Sequence, residues 1–118
     1  MQERRGKVVL IVDDSTVARE LIREIVAPLV AEIHECSDGE RAVAAFVAHR
    51  PDIVLMDIAM RGLNGIVATV RIREVDPAAR VVIVTNHDLP DLRDAAMVAG
   101  ADGYVLKTNL PDLRRWLE

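Results

Sequence analysis

The chain reads as a parallel α/β sheet covered by helices on both faces, and three observations predict that class. Short apolar runs rich in β-branched residues recur along it, as in strands buried on both faces. Each run is followed by a stretch with apolar residues at helical spacing. Capping and turn residues separate the two kinds of segment, so strand and helix alternate. Five strands and five helices are expected from this pattern.

Val8-Val-Leu-Ile-Val12 is the first strand. Asp14-Ser15 then supplies capping side chains, and Val17, Ala18, Leu21, Ile22 and Ile25 follow at helical spacing. Pro28 ends or bends that helix near its last turn. Glu32 to Cys36 alternates polar with apolar and reads as a one-sided edge strand. Ser37-Asp38-Gly39 turns into a helix with Ala42, Val43, Phe46 and Val47 on one stripe. Ile53 to Met56 is the third strand; its loop, Ile58 to Asn64, closes on the turn pair Asn64-Gly65. A helix carrying Ile66, Val67 and Val70 inward follows and ends near Asp76-Pro77. Val81 to Val84 is the fourth strand, and a helix runs from about Pro90 to Ala99. Gly100-Ala-Asp-Gly103 stops it before the short fifth strand, Tyr104 to Leu106. The last helix spaces Leu110, Leu113 and Trp116-Leu117 to pack back on the sheet.

At 118 residues, the chain has the size of one domain and can bury roughly two thirds of its unfolded surface. Residues 1–118 are therefore expected to form a single domain, with no output domain in this chain. Phe46, Tyr104 and Trp116 are the only aromatics of the Phe, Tyr and Trp kind, so Val, Ile, Leu and Ala must build the core. A net charge of -4 gives no footprint for nucleic acid, which needs clustered Lys and Arg. Arg114-Arg115 and the Arg71/Arg73 pair read as solvated helix faces. Cys36 stands alone, which excludes an internal disulfide and fits a reducing compartment. No run approaches the ~20 apolar residues of a membrane span. The opening Met-Gln-Glu-Arg-Arg leads straight into a strand, so no signal peptide is expected. The expected location is the cytoplasm.

Four of the apolar runs end on polar residues of a particular kind: Asp13-Asp14, Asp57, Thr85 and Lys107. In an open parallel sheet, ligands bind beyond the carboxyl ends of the strands, where the winding reverses. With strands one and three as neighbours, Asp13, Asp14 and Asp57 converge on one crevice, and Thr85 and Lys107 lie on its far side. Clustered carboxylates repel, so one resists ionisation unless a cation joins them. An oxygen-rich pocket suits Mg²⁺, which prefers carboxylates plus a phosphate. The lack of a His/Cys cluster argues against zinc; His34, His49 and His87 are scattered and read as surface or edge residues. Asp57 could act as a nucleophile toward a phosphoryl donor, giving an acyl phosphate. The cation and Lys107 would neutralise oxygens of the transferred group, and the Thr85 hydroxyl would donate to another. Taken singly, Asp14 is equally a helix cap, Thr85 a strand-end hydroxyl and Lys107 a solvated charge.

Several stretches together carry a specific resemblance. They are Val-Leu-Ile-Val-Asp-Asp-Ser (9 to 15), Pro-Asp-Ile-Val-Leu-Met-Asp-Ile-Ala-Met (51 to 60), Asn-Gly (64, 65), Val-Ile-Val-Thr (82 to 85) and Gly-Ala-Asp-Gly-Tyr-Val-Leu-Lys (100 to 107). Over nearly its whole length the chain resembles the receiver domain of two-component response regulators. That resemblance implies a flavodoxin-like fold with strand order 2-1-3-4-5. It implies that Asp57 accepts a phosphoryl group from a phosphohistidine, with Asp13, Asp14, Asp57 and the Ala59 carbonyl holding Mg²⁺. Thr85 and Tyr104 match the family's switch pair, and Lys107 its phosphate-contacting lysine. The domain would catalyse its own phosphorylation and dephosphorylation without being a conventional enzyme. The partners implied are a sensor histidine kinase or phosphotransfer protein, an output domain or partner protein, and a second copy on activation.

Three positions depart from the commonest family pattern. Arg61 stands where proline is usual, Thr108 where proline usually follows the lysine, and Asn86 where a small residue is usual. Thr-Asn-His (85 to 87) with Gly-Tyr-Val-Leu-Lys is similar to the subgroup usually joined to a helix-turn-helix DNA-binding domain. The competing expectation is a receiver-like interaction module that switches without phosphate. A nucleotide-binding enzyme is disfavoured, because no phosphate-cradling glycine motif follows the first strand.

Overall fold

The structure, a computed structural model, describes residues 6–60 and 62–118; Arg61 lies outside the described residues. Five parallel strands form one sheet in the order β2-β1-β3-β4-β5, where β1 is Val8–Val12, β2 Glu32–Cys36, β3 Ile53–Met56, β4 Val81–Thr85 and β5 Gly103–Leu106. The helices are α1 (Thr16–Val26), α2 (Gly39–His49), α3 (Gly65–Val75), α4 (Pro90–Val98) and α5 (Arg114–Leu117). Flavodoxin-like topology, expected from the resemblance, is what the chain adopts.

The two faces of the sheet carry separate cores. One core joins Leu10, Val12, Met56 and Ile83 to Ala42 and Phe46 of α2, Ala68 and Ile72 of α3, and Ala96 of α4. The other joins Val9, Ile11, Leu55 and Val84 to Ile22 and Val26 of α1 and to Leu113 and Leu117. β1, β3 and β4 are buried at every residue, which explains why their sequences are apolar without alternation. Right-handed crossovers require this division: the chain leaves β1 toward β2 but leaves β3 toward β4, so α1 and α3 fall on opposite faces. The crevice between β1 and β3 is opened by that reversal.

Local chemistry sets the helix starts. Ser15 caps α1 by accepting from Ala18 N–H, while Asp14 stays exposed and free of that task. Asp38 caps α2 through Arg41 N–H, and Asn64 caps α3 through Ile66 and Val67 N–H. Pro28 falls in a 3₁₀ turn, Ala27–Leu29, that finishes α1 as expected. The C-terminal segment departs from the expected single helix. Lys107–Leu113 forms 3₁₀ turns interrupted at Asn109 (φ -136°, ψ 47°), and only Arg114–Leu117 is α-helical. Pro111 within the segment has no N–H to give an α-helical ladder, yet Leu113 and Leu117 still reach the core.

Candidate functional site

Register brings the acids together. Val12 of β1 pairs with Met56 of β3, so the next residues, Asp13 and Asp57, leave the sheet side by side. Asp57 N–H closes this end by donating to Val12 O at 2.9 Å. Gly65, the first residue of α3, makes the approach possible: a Cβ there would sit 1.9 Å from the Asp57 carbonyl oxygen. Its N–H donates to Ile58 O at 3.0 Å, tying the helix start to the loop after β3.

Carboxylate oxygens of Asp13, Asp14 and Asp57 lie within 4.8 Å of one another. Asp13 and Asp57 are buried at 1% and 5% exposure, whereas Asp14 faces solvent. Lys107, one residue beyond β5, extends its ammonium across to this cluster, 2.7 Å from Asp13 Oδ2 and 3.5 Å from Asp57 Oδ2. Asp57 Oδ1 accepts from Ile58 N–H at 2.9 Å, and Asp13 Oδ1 accepts from Ser15 N–H at 2.9 Å. Asp13 Oδ2 is buried and takes no hydrogen bond; its approach to Lys107 is an ion pair only. Burial raises the Asp57 carboxyl above the ordinary carboxylate range and the neighbouring Asp13 charge adds to it, while Lys107 and the Ile58 N–H pull the other way.

This donor set fits a hard divalent cation. All the side-chain donors are oxygens, they meet in one notch, and the buried Asp13 Oδ2, which makes no hydrogen bond of good geometry, is already met by a cationic group, the Lys107 ammonium at 2.7 Å. Ala59, the expected carbonyl donor, lies exposed in the loop after Asp57.

Thr85 ends β4 fully buried, with its Oγ1 accepting from His87 N–H at 3.2 Å. Tyr104 is half buried; its hydroxyl donates to the His87 carbonyl at 2.7 Å, and Arg93 stands 4.5 Å above its ring. The loop after β4 thus links Thr85 to Tyr104 through one residue. Burial raises the Tyr104 phenol above its ordinary value, so it remains a donor at neutral pH. Asn86 and Thr108 are both exposed.

Other expectations meet mixed outcomes. His34 and His49, expected to be scattered, are stacked with ring centroids 3.7 Å apart, because the edge strand and the end of α2 converge. Arg73, expected in solvent, folds back and donates to Ala79 O at 2.7 Å. Cys36 is buried and donates to the Asp38 carbonyl, and burial raises its thiol pKa, as suits an inert residue.

A doubly wound sheet with an acidic, lysine-flanked notch at its switch point defines a small α/β domain equipped to hold a cation against an anionic group. More particularly, the chain belongs to the response regulator receiver domain family, whose profile matches residues 9–117, and is a receiver domain of two-component signalling. It is similar to the chemotaxis protein CheY of Halobacterium salinarum, 40% identical over 102 residues that cover 86% of this chain and 85% of that protein. It is also similar to the nitrate/nitrite response regulator protein NarL of Escherichia coli strain K12, 30% identical over 116 residues. That match covers 95% of this chain but 53% of NarL, so the chain spans about half of that relative. A two-component response regulator of the LuxR family from Aurantimonas superposes with a TM-score of 0.87 at 34% identity, covering 93% of this chain and 81% of that one. Receiver domains bind Mg²⁺ at an acidic pocket, and this chain carries a cluster of three aspartates at the rim of its sheet. Among the described residues, no helix is long and apolar enough to cross a membrane.

Proposed function

We propose that this receiver takes a phosphoryl group on Asp57 from a phosphohistidine of a sensor kinase or phosphotransfer protein in the cytoplasm. The observation that carries the proposal is the joint placement of Asp13, Asp14 and Asp57 within 4.8 Å, with the Lys107 ammonium 3.5 Å from Asp57. A carboxylate oxygen of Asp57 attacks phosphorus; an O–P bond forms, the donor's N–P bond breaks, and the imidazole leaves with the electron pair and picks up a proton. Mg²⁺ held by Asp13, Asp14, Asp57 and the Ala59 carbonyl would neutralise charge on the transferred oxygens. Lys107 supplies a second positive charge from the opposite side. The phosphoryl group gives the Thr85 hydroxyl a new acceptor, since Thr85 spends only its acceptor side on His87. A shift of Thr85 would pull the His87 loop that Tyr104 grips, and so reshape the surface around α4 and β5. That surface would address an output domain, a partner protein or a second activated copy.

Incubation with acetyl phosphate and intact-mass measurement tests this. Wild type should gain one phosphoryl adduct only with Mg²⁺ present, and Asp57→Ala should gain none. An adduct on Asp57→Ala, or none on wild type under conditions that label another receiver, would contradict it.

A further inference from the structure

A cation site needs its carboxylates at a fixed mutual angle as well as in the right number. Asp13 and Asp14 are joined by one peptide unit, and because that unit is planar its orientation sets where both side chains leave the chain. Its carbonyl oxygen, Asp13 O, accepts from Arg19 Nη1 at 2.6 Å. On the other side of the same residue, Asp13 N–H donates to Cys36 O at 3.1 Å.

Arg19 is itself held. Its Nε donates to Glu35 Oε1 of β2 at 3.0 Å, and Glu35 Oε2 is taken by Arg23 at 2.9 Å. The Arg19 side chain is 16% exposed and the Arg23 side chain 48%, so the first is wedged between elements and the second lies on the surface. A guanidinium presents its donors in a rigid fork, which lets Arg19 grip the carboxylate and the backbone carbonyl together. Charge-assisted bonds of this kind are shorter and stronger than neutral ones. The Lys107 ion pair cannot do this work, because it loads the Asp13 side chain and leaves the peptide plane untouched.

We propose that Arg19 is a positioning residue for the cation site: by bridging Glu35 to the Asp13–Asp14 peptide, it fixes the angle at which those two carboxylates face a divalent ion. The inference rests on the proposed Mg²⁺ role of Asp13 and Asp14. Arg19 touches neither ion nor phosphoryl group and acts through the peptide it holds. Removing groups that orient metal ligands weakens metal binding by roughly 10–100-fold.

Calorimetric Mg²⁺ titration of wild type, Arg19→Met, Arg19→Lys and Arg23→Ala reads this directly. Arg19→Met should bind Mg²⁺ about 10-fold more weakly. It should also need correspondingly more Mg²⁺ for half-maximal labelling by acetyl phosphate, while reaching the wild-type rate at saturation. Arg19→Lys should recover part of the affinity, since an ammonium can meet Asp13 O but cannot also hold Glu35 in a fork. Arg23→Ala, which leaves Asp13 untouched, should bind as wild type does. Should Arg19→Met fail to fold, Glu35→Ala removes the oxygen that accepts from Arg19 Nε, at an exposed edge-strand position, and should weaken binding in the same direction. Wild-type affinity in Arg19→Met or, failing that, in Glu35→Ala, or equal losses in Arg19→Met and Arg23→Ala, would overturn the inference. A wild-type protein that takes up no Mg²⁺ would instead overturn the cation site on which it rests.

Discussion

Acidic residues at the two ends of the strands have opposite fates. Asp52 and Asp102, at the amino ends, are satisfied by backbone: Asp52 Oδ2 accepts from Val8 N–H at 2.7 Å and Asp102 Oδ2 from Val81 N–H at 2.8 Å. Asp57, at a carboxyl end, is buried beside Asp13 instead, and its carboxyl is held above the ordinary range by burial first and Asp13 second. A folded pKa above the unfolded one means that the folded state binds the proton better, so stability falls as pH rises between the two values. Asp57→Asn should therefore stabilise the metal-free protein by about 1 kcal/mol at neutral pH, a usual gain where a site sacrifices stability for function. Its advantage over wild type should grow as pH climbs from the ordinary carboxylate value and level off above the raised one. Paired thermal melts from pH 3 to 8 check this, and a gap that widens toward acid would refute it. Lys107 is the only Lys or Arg in ionic contact with Asp13 or Asp57 among the described residues. Lys107→Ala should then tighten Mg²⁺ binding several-fold by removing a competing charge, while slowing the conformational response to labelling. Calorimetry showing weaker Mg²⁺ binding in this variant would contradict the competition. Sequence alone offered these carboxylates as candidates because each follows an apolar run. Arg19 was not legible in that way, since an arginine inside an amphipathic helix looks like any solvated charge until its carbonyl partner is known.

Elements deliver those residues by register and by close approach. β1 and β3 were readable because double burial forces unbroken apolar runs, and their adjacency then follows from the winding rule. Gly65 was legible only as half of a turn pair; its larger role comes from the 1.9 Å that would separate a Cβ from the Asp57 carbonyl. Backbone atoms cannot yield as a flexible side chain can, so Gly65→Ala should cost roughly 2 kcal/mol or more. Urea denaturation would show it as a lowered midpoint, and an unchanged midpoint would mean that α3 does not press on the site. The C-terminal segment defeated helical periodicity for a physical reason. Leu110, Leu113 and Leu117 keep a spacing that 3₁₀ and α geometry both satisfy, so the pattern reports which face is buried and not which helix forms. The stacking of His34 on His49 was equally hidden, because it depends on how the edge strand meets the end of α2.

At the scale of the whole molecule, the sheet is a rigid plate whose carboxyl rim holds unfavourable charge, and a ligand that relieves that charge must stabilise the fold. Mg²⁺ at a hundredfold excess over its dissociation constant should add about 2.7 kcal/mol. Melting curves with and without millimolar Mg²⁺ should separate for wild type and converge for Asp13→Asn combined with Asp14→Asn; coincident curves for wild type would oppose a cation at the rim. The most direct test of phosphoryl acceptance at Asp57 is borohydride reduction after treatment with acetyl phosphate and Mg²⁺, followed by peptide mapping. Hydride converts an acyl phosphate to an alcohol, so a homoserine should be found at position 57 and at no other aspartate. Homoserine at position 13 or 14, or unaltered Asp57 in protein that carries phosphate, would contradict the assignment.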